Sequence, residues 1–346
     1  MSLLRDPRNR RRKPIDRPNP RCGAARALFL WVALGGAAGC SGPTGPAALL
    51  PLTAERDPRL PQLRVLVAGH TRVLHLETFG DSSRPVLLAF HGGEGSNYRS
   101  MLPLQALADR YFVVLWDSRG SGLSERIGPD EITEQAYADE VQAVKDHFSP
   151  DAPVALVAYS YGGFHAALYL THHAGQVSQL VLIEPLAPNS EANLPDPAVP
   201  FSAEWVNDYL WQDELVTPDD DDRVDYKLTS VAQAAIEGFS CDPAHPSHYP
   251  LWRMGARVWT RTHEVFARYD YRGGLAALDF PVLIVATHCG DGGVDYQRRH
   301  VAPVFREARL VALPEGVDHL NLFQRGQTEL LAALRDYLAP GAGSQP

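Results

Sequence analysis

Val157-Ala-Tyr-Ser160-Tyr-Gly-Gly163 stands between an apolar run of strand character and a segment with helical spacing. A strand-to-helix turn that sharp leaves no room for bulk beside its central residue, and Ala158 and Gly162 meet that demand. The turn lifts the Ser160 hydroxyl above a sheet at a helix N-terminus, where the dipole favours developing negative charge. A serine that attacks a carbonyl needs a base for its proton and donors for the resulting oxyanion. His91-Gly-Gly-Glu-Gly95 follows another apolar run that ends at Phe90, and its glycines let backbone come close to a substrate oxygen. The expected donors are the N–H groups of Tyr161 and Gly93, ahead of Gly92, with His91 as an orienting group for the loop. No H-E-x-x-H or C-x-x-C occurs, and His172, His173, His245 and His248 read as polar surface residues, so neither a metal nor another cofactor is expected.

The elements that must hold these residues follow from the apolar pattern. Arg64 to Val67 and Val73 to Phe79 predict a hairpin around Gly69. Pro85 to Phe90, Tyr111 to Trp116, Val154 to Ala158 and Leu180 to Ile183 are short Val/Leu-rich runs of the kind buried on both sheet faces. Helical spacing over Glu131 to Phe148 and Phe164 to His172 alternates with them, which predicts a mostly parallel sheet with helices on both faces. The rhythm resumes at Pro281 to Ala286, Arg309 to Leu313 and a helix over Leu320 to Leu338. About 95 residues in between far exceed an ordinary loop of about 4–6 and predict an inserted subdomain, aromatic at Trp205, Tyr209, Trp211, Trp252 and Trp259. There is no internal repeat.

His91-Gly92-Gly93, the Ser160 turn and Asp117-Ser-Arg-Gly-Ser-Gly-Leu-Ser124 together resemble the α/β-hydrolase fold family, with a lean toward its proline iminopeptidase-like branch. The resemblance spans about Arg64 to Leu338. It implies an α/β-hydrolase fold with an inserted lid and the chain order nucleophile, acid, histidine. His319, in Gly316-Val-Asp-His319 before the last helix, is then the general base. Asp291, after the strand ending at Ala286, is the expected acid, with Asp295 second and Glu184 a third candidate because some hydrolases carry the acid at that strand end. The implied parts are residues 62–184 and 280–339 as core, 185–279 as lid and 340–346 as a tail.

The N-terminus reads differently. Residues 1–26 hold nine of the 32 Lys+Arg and two of the 41 acids, which leaves a body of net charge −16 (23 basic against 39 acidic residues) that would repel nucleic acid. Thirteen uncharged, mostly apolar residues from Ala27 to Gly39 are too few to span a bilayer, which takes about 20. A basic stretch, a short apolar core and Ala37-Ala-Gly-Cys40 predict an export signal over 1–39 that resembles a bacterial lipobox. Cys40 would be acylated, tethered to the cell envelope by residues 40–61; a plain secretory signal, giving a periplasmic or secreted protein, is the alternative.

Asp117 and Arg119 read as a pair that pins a structural turn, and Asp219 to Asp222 as a solvated loop. Acids of the insertion could instead hold the free amine of a peptide, as the resemblance implies. Against that, the elbow here is Ala158-Tyr-Ser-Tyr-Gly162 where that branch carries G-G-S-W-G. Cys241 and Cys289 could form a disulfide in an exported protein. The expected function is a serine hydrolase of a small carboxylic ester or related acyl substrate, with an iminopeptidase-like aminopeptidase, or a silent hydrolase-fold binding protein, as alternatives.

Overall fold

Ala68 and Gly69 take φ of +48° and +82°, the two left-handed residues of a tight hairpin turn, and join β1 (Gln62–Val67) to β2 (His70–Phe79) with Val67 opposite His70. The computed structural model describes residues 50–192, 220–237, 241, 249–290 and 292–339. The basic leader, Cys40, Trp205, Tyr209, Trp211, Asp219, His245, His248, Asp291 and the tail from 340 lie outside the described residues.

Six further strands complete an eight-stranded sheet: β3 (Val86–Phe90), β4 (Phe112–Trp116), β5 (Val154–Tyr159), β6 (Val177–Ile183), β7 (Val282–Ala286) and β8 (Ala308–Ala312). Their order is β1-β2-β4-β3-β5-β6-β7-β8, and only the β1–β2 and β2–β4 pairings are antiparallel. All residues of β3, β5 and β7 are buried, because both faces are covered. Leu88 and Phe90 enter one core with α1 (Glu134–Phe148) and α2 (Gly162–His173), whereas Leu87 and Ala89 enter the other with the 3-10 helix Tyr98–Asp109. Strand order reverses around β3 and β5, so a crevice opens at their carboxyl ends, where open parallel sheets hold ligands.

The segment between β6 and β7 includes α3 (Asp220–Glu237) and α4 (Ala256–Val265). The acids at the start of α3 are not a solvated loop. Asp222 and Asp225 are 4% and 2% exposed and close on Arg253, itself 1% exposed. Arg253 donates to Asp222 Oδ1 at 2.7 Å and to Asp225 Oδ2 at 2.7 Å; Arg56 completes the set on Asp222, and Arg126 on Asp225. Burial opposes ionisation of Asp222, but the hydrogen bonds from Arg56 and Arg253 outweigh it and hold the carboxyl below its ordinary value. These ion pairs tie the insertion to the core, since Arg56 lies in the segment before β1 and Arg126 in the segment after β4. Trp252 adds an edge-on contact with Tyr98 at 4.9 Å.

The last helix, α5, runs Gln327–Tyr337 and starts seven residues later than the pattern suggests. Asp318 accepts the N–H groups of Leu320 and Asn321, and Asn321 accepts that of Asp318, which locks residues 318–321 into a braced turn before the helix can begin. Arg253→Met would leave two buried carboxylates short of a partner. It is expected to lower unfolding free energy by about 3–5 kcal/mol in urea titrations, while Arg309→Met, at an exposed ion pair, changes it by less than about 1 kcal/mol.

Candidate active site

β5 delivers Ser160 onto its turn with φ +53°, a left-handed conformation that a non-glycine residue holds only under constraint. The ladder enforces it: Ser160 N–H donates to Ile183 O at 2.9 Å, and the next turn closes through Gly163 N–H to Ser160 O and Phe164 N–H to Tyr161 O. A Cβ on Gly162 would meet the carbonyl oxygens of Phe90 and His91 at 2.6 and 2.8 Å, so α2 can start here only with glycine. Gly92 is bound by a similar close approach, since its Cβ would lie 2.8 Å from that of Ser160. The loop after β3 therefore presses directly on the serine.

His319 Nε2 lies 2.9 Å from Ser160 Oγ, and its Nδ1 lies 2.7 Å from Glu184 Oε2. The serine, at the end of β5, and the glutamate, at the end of neighbouring β6, are thus joined through one imidazole. Glu184 too is left-handed, with φ +42°, its N–H held by Val285 O across to β7. Its carboxylate is 1% exposed, and Oε1 accepts both the N–H and the hydroxyl of Thr287 at 2.6 Å. A buried carboxylate with three donors is held fixed, and it selects the imidazole tautomer whose Nδ1 carries the proton and whose Nε2 faces the serine.

The acid in contact with His319 is therefore Glu184, the third candidate from the sequence. Asp291 lies outside the described residues. Asp295 is not at the site: its side chain is 79% exposed and pairs with Arg298 at 2.9 Å. Three positioning residues carried no sequence signal. Thr287 holds Glu184, Tyr159 donates its phenol to His319 O at 2.6 Å, and Asp318 braces the His319 turn. Cys241 and Cys289 are bridged, with Cα atoms 6.3 Å apart, and the bridge sits between Asp318, which accepts the Cys241 N–H, and Thr287, whose hydroxyl contacts Cys289 O.

Tyr161 N–H follows the serine directly, and among the described residues neither it nor Gly93 N–H is engaged by a backbone carbonyl. Gly93 takes φ +73°, a left-handed turn that a side chain rarely adopts. His91 Nδ1 is 3.0 Å from Gly92 O and its Nε2 accepts the Ser118 N–H at 3.3 Å, which fixes the loop between β3 and the Asp117 turn. That turn is not pinned by an Asp117–Arg119 pair. Asp117 accepts Tyr98 N–H, Leu123 N–H and His75 Nδ1, while Arg119 donates to buried Glu140 at 2.8 Å. Behind Tyr161, burial, reinforced by the nearby Arg119 charge, pushes His165 down to about 3 and keeps it neutral. Among the described residues no group of His, Cys, Asp and Glu could hold a metal ion, and no helix is long and apolar enough to cross a membrane.

Comparison with known proteins agrees with this architecture. A family model for the alpha/beta hydrolase fold matches residues 85–227. Proline iminopeptidase PfmaB of Pestalotiopsis fici is 31% identical over 109 residues, 30% of this chain and 37% of that one, so the chain spans little more than a third of this relative. 3-Oxoadipate enol-lactonase 2 of Acinetobacter baylyi is 27% identical over 227 residues, 62% of this chain and 74% of that one. The crystal structure of the enol-lactonase from Burkholderia xenovorans LB400 superposes with a TM-score of 0.57 at 17% identity, covering 80% of this chain and 100% of that one. The chain has the α/β-hydrolase fold, and about a third of it resembles the proline iminopeptidase-like branch.

If Glu184 holds the imidazole, Glu184→Gln slows phosphonylation of Ser160 by a fluorophosphonate by about 10²- to 10⁴-fold, whereas Asp295→Asn leaves the rate within about twofold. An Asp291→Asn variant as slow as Glu184→Gln would move the acid to residue 291.

Proposed function

We propose that the protein is a serine hydrolase that cleaves a small carboxylic ester or related acyl substrate through an acyl-enzyme. The single observation that carries this reading is the continuous relay Glu184–His319–Ser160, with contacts of 2.7 and 2.9 Å. His319 Nε2 takes the Ser160 proton as Oγ bonds to the carbonyl carbon. The carbonyl electrons move onto oxygen, where Tyr161 N–H and Gly93 N–H stabilise them. Collapse of the tetrahedral species breaks the bond to the leaving alkoxide, which receives the proton from His319. Water then attacks the acyl-serine by the same route, and the carboxylic acid leaves with Ser160 restored. Glu184 holds the Nδ1 proton of His319 and stabilises the imidazolium in each half-reaction.

An aminopeptidase of the iminopeptidase kind is the second reading, supported by relatives bearing that name. Two observations set it behind the first. Asp222 and Asp225 of the insertion are consumed by Arg253, Arg56 and Arg126, and neither is offered to a substrate amine. The elbow also keeps Ala158 and Tyr161 where that branch has glycine and tryptophan. A silent binding protein is the least supported reading, because the nucleophile, base and glycine turns are all in place. The leader and Cys40 support export to a bacterial cell envelope with a lipid anchor as part of the same proposal, and the Cys241–Cys289 bridge suits an oxidising compartment.

The test compares p-nitrophenyl butyrate with proline p-nitroanilide, using the chain from Ser41 onward. Ester turnover that falls at least about 10³-fold in Ser160→Ala is the expected result. Preference for the prolyl amide would put the aminopeptidase reading first.

A further inference from the structure

Cys241 of the insertion is bridged to Cys289 of the loop after β7, and the bridge meets a support of each partner in the Glu184–His319 contact. Cys289 follows Thr287 by two residues, and Thr287 holds Glu184 Oε1 through its N–H and its hydroxyl, both at 2.6 Å. The Cys289 carbonyl lies 3.0 Å from that hydroxyl. Little chain is left to absorb a movement of Cys289: Val294 N–H closes the loop on Thr287 O at 2.9 Å, and Gly290 turns it with φ +83°. On the other side the Cys241 N–H donates to Asp318 Oδ2 at 3.4 Å. Asp318 Oδ1 accepts from Leu320 and Asn321 and so braces the turn that carries His319. The bridge thus ties the residue that fixes the acid to the residue that braces the base.

The bridge is also within reach of solvent. Thr287 is 0% and Asp318 2% exposed, whereas Cys241 is exposed and Cys289 half-buried, so a thiolate approaches from the Cys241 side. Attack on Cys241 Sγ forms a mixed disulfide and expels the Cys289 thiolate, which takes up a proton. The second thiol of the same dithiol then displaces Cys241. The dithiol leaves as a disulfide, and two electrons and two protons have passed to the protein. We propose that the Cys241–Cys289 bridge is a redox-sensitive positioning clamp: oxidised, it holds Thr287 and Asp318 around the Glu184–His319 contact, and reduction by a dithiol releases them and slows attack by Ser160.

The inference rests on the serine hydrolase reading, and the experiment separates the two. Phosphonylation of Ser160 by a fluorophosphonate is timed on the full chain, oxidised and after reduction by dithiothreitol. Mass spectrometry of alkylated peptides counts the Cys241 and Cys289 thiols, and circular dichroism follows folding. Reduction of the folded protein is expected to lower the limiting rate constant by about 10- to 100-fold, as misplacement of a catalytic group does. The reagent concentration at half-saturation should change by less than about twofold, because binding is not what the clamp governs. Reoxidation restores the rate, and Cys289→Ser shows the reduced rate with no response to dithiothreitol. An unchanged rate in reduced, folded protein, a loss confined to half-saturation, or unfolding on reduction overturns the clamp and leaves the hydrolase reading standing. Absence of phosphonylation at Ser160 in the oxidised protein overturns both.

Discussion

A carboxylate with 1% exposure at the end of β6 sets the terms for the whole site. Removing a charge from water is costly unless donors replace it, and Glu184 obtains them from Thr287 and His319. Those two partners come from loops after β7 and β8, so the charge is satisfied only when the last three strands stand in register. The left-handed backbone at Glu184 and Ser160 follows from the same requirement, since both residues must turn out of their strands to meet one imidazole. Strain at the two positions is offset by the β5–β6–β7 ladder that continues through their N–H groups.

The insertion shares the apolar core through Val258, Phe266, Tyr271 and Leu251, and polar contacts add to that packing. Arg253 gathers Asp222 and Asp225, and Arg56 and Arg126 reach them from the core. At Gly255 the N–H donates to Gly95 O in the loop after β3, and a Cβ there would overlap the Gly120 carbonyl. The disulfide adds a covalent link beside Thr287 and Asp318. Docking of the insertion and geometry of the relay are therefore coupled through neighbouring residues.

Much of the fold was legible because strands buried on both faces leave continuous Val/Leu runs, and because tight turns admit few residue types. Ser160, His91 and His319 were nameable from such context. The acid was not, because the loops after β6 and β7 both offer carboxylates at suitable chain positions, and choosing between them requires the distance across the sheet. Thr287, Tyr159 and Asp318 act through atoms that any similar residue could supply, so nothing marks them in one sequence. The acids of α3 misled for a related reason: a run of aspartates reads as solvated unless the arginines that bury it, 31 residues on at Arg253 and far upstream at Arg56, are known to converge there. Asp318 and Asn321 likewise delayed the last helix through side-chain bonds that periodicity does not register.

The central claim is that Glu184 orients His319 for a charge-stabilised attack by Ser160. The most direct measurement is a crystal structure of the protein with a phosphonate bonded to Ser160, a stand-in for the tetrahedral intermediate. The phosphonyl oxygen is expected within hydrogen-bond distance of Tyr161 N–H and Gly93 N–H, with His319 Nδ1 still on Glu184. An imidazole turned to Asp291, or an oxygen outside both N–H groups, would contradict it.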